Sequence, residues 1–380
     1  MSAGVRAGYK QTEVGVIPED WAVANVGDAF EICNNLRLPI SSAVREKMQG
    51  DFPYYGPTSI QGWINEFRVD GEHALIGEDG DHFLKWRTQP MTLLVQGRFN
   101  VNNHAHLVCG SSNLTAWFYW YFVNRDITAS LSRQGASRYK LNKATLIRLQ
   151  CVLPPLLEQR AIATALSDVD ALLSGLDSLT AKKQNLKQAA MQQLLTGQTR
   201  LPGFSGEWEV KRLGDVVEIK KGQLITEKTV VFGDIPVIAG GKKPAYFHNQ
   251  PNRVGKTITV SASGASAGYV ALFDQPVFAS DCSTISQGKD YSIEFICFQM
   301  QLRQDAIYRA QTGGAQPHIH AVDLAPIEID CPELPEQTAI AAVLSDMDTE
   351  LAALQARRDK TRALKQGMMQ ELLTGRIRLI

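Results

Sequence analysis

The residues of this 380-residue chain that could do chemistry fall into two histidine pairs, one acidic loop and two basic regions. His104-x-His106 and His318-x-His320 have the alternate spacing that puts two ligands on one face of a strand. Zinc needs three or four ligands, and no cysteine or carboxylate cluster accompanies either pair along the chain, so surface or DNA-contacting histidines are expected and no metal site. Gly77-Glu78-Asp79-Gly80-Asp81 reads as a tight turn after a strand ending at Ile76. The stretch from Ser261 to Gly268 resembles it but keeps the glycine without the carboxylates, which argues against a catalytic pair. There is no GxxxxGK[ST] loop, no Asn/Asp-Pro-Pro-aromatic motif, no glycine-rich turn suited to S-adenosylmethionine and no GxSxG elbow. No catalytic residue is therefore expected, and binding remains. Residues 127–149 carry Arg133, Arg138, Lys140, Lys143 and Arg148 with no acid. The same segment holds Gln134, Ser137, Tyr139 and Asn142, which can donate to phosphates and base edges. In the second half of the chain, Lys242 and Lys243 form a basic pair, and Gln316 and His318 occupy a polar, glycine-rich stretch.

The composition limits how such residues could work. Thirty-nine basic residues balance thirty-nine acidic ones. A neutral chain does not hold nucleic acid by bulk charge alone, so any DNA contact is local, and the isolated chain is expected to bind DNA weakly. A hydrophobic fraction of 44% suits a globular chain of two or three domains. No apolar run reaches a membrane-spanning length and MSAGVRAGYKQTEVG has no apolar signal core, so a cytoplasmic protein away from membranes is expected. Six scattered cysteines without a CxxC pair read as reduced thiols.

An internal repeat supplies the frame. Residues 158–197 and 336–375 match at twenty-one of forty positions without a gap, at an offset of 178. Both copies read as helices with apolar residues three and four apart. The first seam is Ile162, Leu166, Val169, Leu173 and Leu176; the second is Ile340, Leu344, Met347, Leu351 and Leu354. Their mean spacing of about 3.5 is that of a coiled coil. The seam blurs at Thr180, Lys183 and Lys187, and Leu179 and Leu186 suggest a sideways shift of the stripe. Prolines precede each helix, Glu158 and Glu336 suit the positive N-terminal ends, and Gly197 and Gly375 suit left-handed C-terminal positions. The segments before the helices are related too: Trp21, Gly27, Asp28 and Glu31 match Trp208, Gly214, Asp215 and Glu218. Further on, Gly135-Ala136 followed by Tyr139 resembles Gly314-Ala315 followed by His318.

The chain is thus a mixed α+β protein of two globular modules and two long helices, divided as 1–155, 156–198, 199–333 and 334–380. Strands are expected at 74–76, 91–95, 257–261 and 269–273, and buried helices at 114–123 and 293–302. The aromatic run with Trp117, Tyr119, Trp120 and Phe122 lacks interleaved basic residues and reads as core rather than as a base-stacking platform. Between the related ends the modules diverge, FPYYGPTSIQGW at 52–63 against IPVIAGGKKPAY at 235–246, which suggests one job done on two targets.

These features together resemble the specificity subunits of type I restriction–modification systems. The resemblance is carried by Tyr9-Lys10-x-Thr12-Glu13-x-Gly15-x-Ile17-Pro18-Glu19-Asp20-Trp21, the two Glu-Gln-x-x-Ile helix starts and the two Leu-Leu-Thr-Gly helix ends, and it spans nearly the whole chain. It implies two α/β target-recognition domains, each reading one half of a bipartite double-stranded DNA sequence, separated by two antiparallel helices in a pseudo-two-fold repeat. It implies two methyltransferase subunits docked on this chain and restriction subunits joining them. S-adenosylmethionine, ATP and magnesium would then sit on the partners, and this chain would bind no cofactor. Base contacts vary within the family, so the resemblance assigns none; residue chemistry alone nominates Arg133, Gln134, Ser137, Arg138, Tyr139 and Lys140 in one module and Lys242, Lys243, Gln316 and His318 in the other. The competing reading is a stand-alone DNA-binding protein without a methyltransferase partner.

Overall fold

The computed structural model describes residues 6–134, 138–313 and 316–379. They form two compact units, one of residues 1–175 with 359–380 and the other of residues 176–358. Each unit holds one globular module and part of both long helices. Among the described residues, no helix is long and apolar enough to cross a membrane.

In the first unit a four-stranded sheet is made from β1 (Phe30–Ile32), β2 (His73–Gly77), β3 (Thr92–Val95) and β4 (Ala105–Gly110), in the order β1-β4-β2-β3. Helix α1 (Thr115–Phe122) covers one face. Trp117, Phe118, Trp120, Tyr121 and Phe122 are all buried there, and Trp117 Nε1 donates to Val152 O at 2.8 Å. The run is core, as its lack of basic residues predicts. A short hairpin follows, β5 (Ser132–Gln134) and β6 (Arg138–Lys140). Strand Gln150–Leu153 then pairs back with Ala22–Asn25 and leads into the long helix α2 (Leu156–Leu194).

The second unit repeats the plan. Its sheet has β7 (Ile219–Lys221), β8 (Thr257–Ser261), β9 (Val270–Phe273) and β10 (Cys282–Ser286) in the order β7-β10-β8-β9. Helix α3 (Ile293–Leu302) packs on it, and Glu209–Arg212 pairs with Glu328–Cys331 before the second long helix, α4 (Leu334–Leu372). The divergent stretches both form hairpins: Gln49–Tyr55 with Ile60–Ile64, and Ile235–Ile238 with Tyr246–His248.

The long helices have 39 residues each and run antiparallel within each unit. In the first unit Lys365 pairs with Asp170; in the second, Asp177, Lys183 and Lys187 pair with Arg358, Glu350 and Asp348, so one number rises as the other falls. Ile162, Leu166, Leu176, Ile340, Leu344 and Leu351 are buried, and Val169, Leu173, Met347 and Leu354 are half-buried. The expected sideways shift of the stripe does not occur. Thr180 is buried on the original seam, its hydroxyl donating to Leu176 O at 2.7 Å, while Leu179 and Leu186 are exposed. The polar seam residues stay in phase because Lys183 and Lys187 reach carboxylates on the facing helix.

Each helix ends at a glycine with φ near 70°, Gly197 and Gly375, where a side chain would be strained. At Gly375 an added Cβ would also stand 2.5 Å from Pro18. Gly367 is different: it is exposed, helical and has open space at its missing Cβ. Gly367→Ala is expected to raise stability by about 0.5–1 kcal/mol through helix propensity. A denaturant midpoint that stays put or falls would contradict this.

Candidate nucleic-acid interface

In each module the loop after an inner strand of the sheet (β2 or β8) is stitched to a segment some sixteen residues before the long helix. In the first, Asp79 bridges Lys140, and Gly80 N donates to Tyr139 O. In the second, Ser263 bridges His318, and Gly264 N donates to Pro317 O. Gly80 and Gly264 both have positive φ, which lets the loop turn back onto its partner. This register makes Lys140, not Tyr139, the counterpart of His318, which corrects the alignment drawn from the sequence.

The acidic loop is more than a turn. Glu78 Oε2 accepts from Arg37 at 2.8 Å, and Glu78 Oε1 lies 3.5 Å from Lys140 Nζ. Lys140 belongs to an acid-free segment, but in space its charge is matched by Glu78. Asp79 pairs with His104 at 3.1 Å. His106 is not a surface histidine as expected: it is buried, and Nε2–H donates to Leu141 O at 2.7 Å. Its Nδ1 accepts from Asn34 Nδ2 at 2.9 Å, an amide oriented by its own Oδ1 accepting from Leu107 N. Burial lowers the His106 pKa below the usual histidine value, and its partners suit the neutral ring.

The nominated contact residues divide accordingly. Arg133 is exposed, stacks 5.2 Å from the Tyr139 ring centroid and donates to Tyr139 Oη at 2.9 Å. That arrangement holds a guanidinium edge at the hairpin surface. Gln134 and Arg138 face each other across the hairpin backbone, and Ser137 lies outside the described residues. In the second module Lys242 is exposed, with Nζ 5.3 Å from the Tyr269 ring centroid, and Lys243 and Gln316 are exposed. His318 is half-buried, its ring stacked 6.2 Å from that of exposed His320. The structure thus brings His318 to the Ser263 loop and Lys140 to Glu78.

A second constellation went unread in the sequence. Glu158, at the start of α2, is fully buried and accepts from Trp21 Nε1 at 2.8 Å and from Arg378 at 2.6 and 2.8 Å. Arg378 also reaches Asp20 at 2.7 Å. In the second unit Glu336 accepts from Trp208 Nε1 at 3.2 Å and from Arg200 at 2.6 Å. The glutamine beside each glutamate is equally engaged: Gln159 takes Leu114 N and Pro154 O, and Gln337 takes Ser292 N and Pro332 O. The repeated arginine three residues after each Leu-Leu-Thr-Gly was the available signal. Each helix start is locked to the segment that leaves the other helix.

Comparison with known proteins agrees with this doubled plan. The model of the type I restriction modification DNA specificity domain matches residues 18–188 and again 205–361. The chain belongs to the specificity-subunit family of type I restriction–modification systems. Each match takes in one module and much of the helix after it. A chain described as a type I restriction enzyme specificity subunit from Haemophilus influenzae is 29% identical over 344 residues, 85% of this chain and 86% of that one. The MjaVIII specificity subunit of Methanocaldococcus jannaschii is 22% identical over 402 residues, 96% of this chain and 94% of that one. Among solved structures, the S subunit of the type I restriction–modification system of M. genitalium superposes with a TM-score of 0.72 at 15% identity, covering 93% of this chain and 96% of that chain. The two modules and two long helices are therefore the fold of this family.

Proposed function

We propose that this specificity subunit reads a bipartite duplex DNA target, one half with each globular module, and carries no catalytic step itself. The long helices set the spacing of the two half-sites and dock two methyltransferase subunits, which flip and methylate adenine with S-adenosylmethionine. Restriction subunits with ATP and magnesium complete the complex. The observation that carries this reading is the doubled closure, Asp79 to Lys140 and Ser263 to His318, on one frame with different polar residues exposed around it. Equal frames with unequal reading groups suit two different half-sites. The balanced charge supports dependence on partner subunits, since affinity grows with each phosphate neutralised and a chain without net positive charge neutralises few.

The test is to map methylated adenines made by the reconstituted complex on a randomised DNA library. A bipartite motif is expected, and Arg133→Ala should relax or weaken one half by roughly 10–100-fold, since a bidentate contact to a base edge contributes about 1–3 kcal/mol of discrimination. The other half should keep its sequence. Equal loss at both halves would place Arg133 outside base reading. Tight specific binding by the chain alone would favour the stand-alone alternative.

A further inference from the structure

The register of the first sheet collects three side chains with soft or borderline metal-ligand atoms that are far apart in sequence. Glu31 stands opposite Cys109 across β1 and β4. Continuing the β4–β2 pairing one step beyond Val108 and Ala74 places His73 beside Cys109. Cys33 follows Glu31 by two residues and so returns to the same face. The result is close: Cys33 Sγ lies 3.2 Å from Cys109 Sγ, and the two sulfurs and a His73 ring nitrogen are all within 4.8 Å of one another. Cys33 is buried, and the His73 ring stands edge-on to Phe99 at 5.8 Å. His73 Nδ1 is sealed from solvent without a hydrogen-bond partner. Glu31 Oε2 is 3.9 Å from Cys109 Sγ on the exposed rim.

We propose that Cys33, His73 and Cys109 bind one thiophilic divalent cation of the zinc class, with the Glu31 carboxylate closing the fourth position. Two sulfurs and an imidazole select zinc-like ions over magnesium or calcium, which require oxygen ligands. Zinc–sulfur bonds of about 2.3 Å and zinc–nitrogen bonds of about 2.0–2.1 Å set tetrahedral ligand atoms roughly 3.5–3.8 Å apart. The separations of 3.2 Å and up to 4.8 Å straddle that range, so small side-chain rotations form the site. On binding, each thiol releases its proton to solvent through the Glu31 rim, and no electron is transferred. The cation would tie β1, β4 and β2 together at the His73 end of β2. It is a structural staple, independent of the methyl-transfer chemistry proposed above.

The second module provides a contrast. The same register positions there hold Glu218, Lys220, Thr257 and Ser286, and Lys220 pairs with Glu218 at 2.8 Å. That set has no soft ligand, so one cation per chain is expected rather than two.

The experiment uses the full-length chain in reducing buffer. Metal content is measured as purified, then Co2+ is titrated into the chelator-stripped protein. Expected are one equivalent of bound Co2+, thiolate-to-cobalt charge transfer and the visible bands of a tetrahedral ion. Cys33→Ser with Cys109→Ser should abolish the signal, and Cys282→Ser with Cys331→Ser should leave it. Because Cys33 is a core residue, His73→Gln offers a milder variant with both thiols intact; it should weaken Co2+ at least tenfold while circular dichroism stays native. The proposal is overturned by absence of thiolate charge transfer in the wild-type chain, by bands that survive the Cys33/Cys109 double variant, or by unchanged affinity in His73→Gln. A Cys33–Cys109 disulfide found in the protein as purified would overturn it too, in favour of a redox pair.

Discussion

Glu158→Ala is expected to remove about 3–5 kcal/mol of stability from the unit formed by residues 1–175 and 359–380, the range for breaking a buried ion pair by deleting one partner. The carboxylate is fully buried and accepts three hydrogen bonds. Without it the Trp21 indole N–H is left buried and unsatisfied, which alone costs about 1–3 kcal/mol. Arg378 is partly exposed and can turn toward Asp20 and water, so the lower half of the range is the better expectation. Glu158→Gln keeps an acceptor for Trp21 and should lose less. Hydrogen exchange followed by mass spectrometry localises the effect, and the amides of residues 176–358 should keep their protection. Glu336→Ala should reverse the pattern. A loss below about 1 kcal/mol, or one spread evenly over both units, would show that the cluster does not hold the helix start. The exposed edge of the same cluster is pH-sensitive in a known direction. A hydrogen bond from Arg378 holds Asp20 below the usual carboxylate value. Its contribution is therefore complete above the ordinary Asp value and is lost as pH falls through the depressed folded one.

Leu179→Glu and Leu186→Glu are expected to leave the fold intact and weaken methyltransferase association at least tenfold each. The two leucines lie a heptad apart on α2, exposed at 40% and 48%, while the seam beside them is filled by Thr180, Lys183 and Lys187. Surface substitutions away from special features change stability by no more than about 0.5 kcal/mol. Glutamates at positions that a partner covers would instead place a charge in a desolvated contact, and a tenfold loss corresponds to about 1.4 kcal/mol. Sedimentation of the mixed subunits reads the association, and thermal unfolding of the free chain reads the fold. Full assembly with both glutamates present would move the docking surface elsewhere. Loss of folding in the free chain would mean that the leucines are packed after all.

Much of the frame was legible because it rests on local periodicity. The gapless repeat gives two helices with matching starts and ends, and the structure has them as Leu156–Leu194 and Leu334–Leu372. The short strands at Thr257–Ser261 and Val270–Phe273 and the helix at Ile293–Leu302 were visible as apolar runs bounded by turns. The seam was misread where hydropathy and packing part ways. Leu179 and Leu186 are apolar and exposed, while Thr180 is polar and buried, because the lysines on the seam are matched by acids on the facing helix. One helix read alone carries no information about that match.

The sequence by itself determined the long helices, the duplication, four of the eight strands of the two main sheets and the family, since helix and strand periods depend on neighbours three, four or two residues away. Only the tertiary structure decided which distant residues meet. Sheet order puts β4 beside β1, and so brings Cys109 to Cys33 and His106 to Asn34. Chain return after α4 brings Arg378 to Glu158, and the loop after β2 gives Lys140 its acid. Such pairings depend on which segments lie side by side, and β1 and β4 are neighbours in the sheet although they are far apart in the chain. The acid that faces Lys140 and the burial of His106 and Glu158 are therefore properties of the folded topology, not of any local stretch of residues.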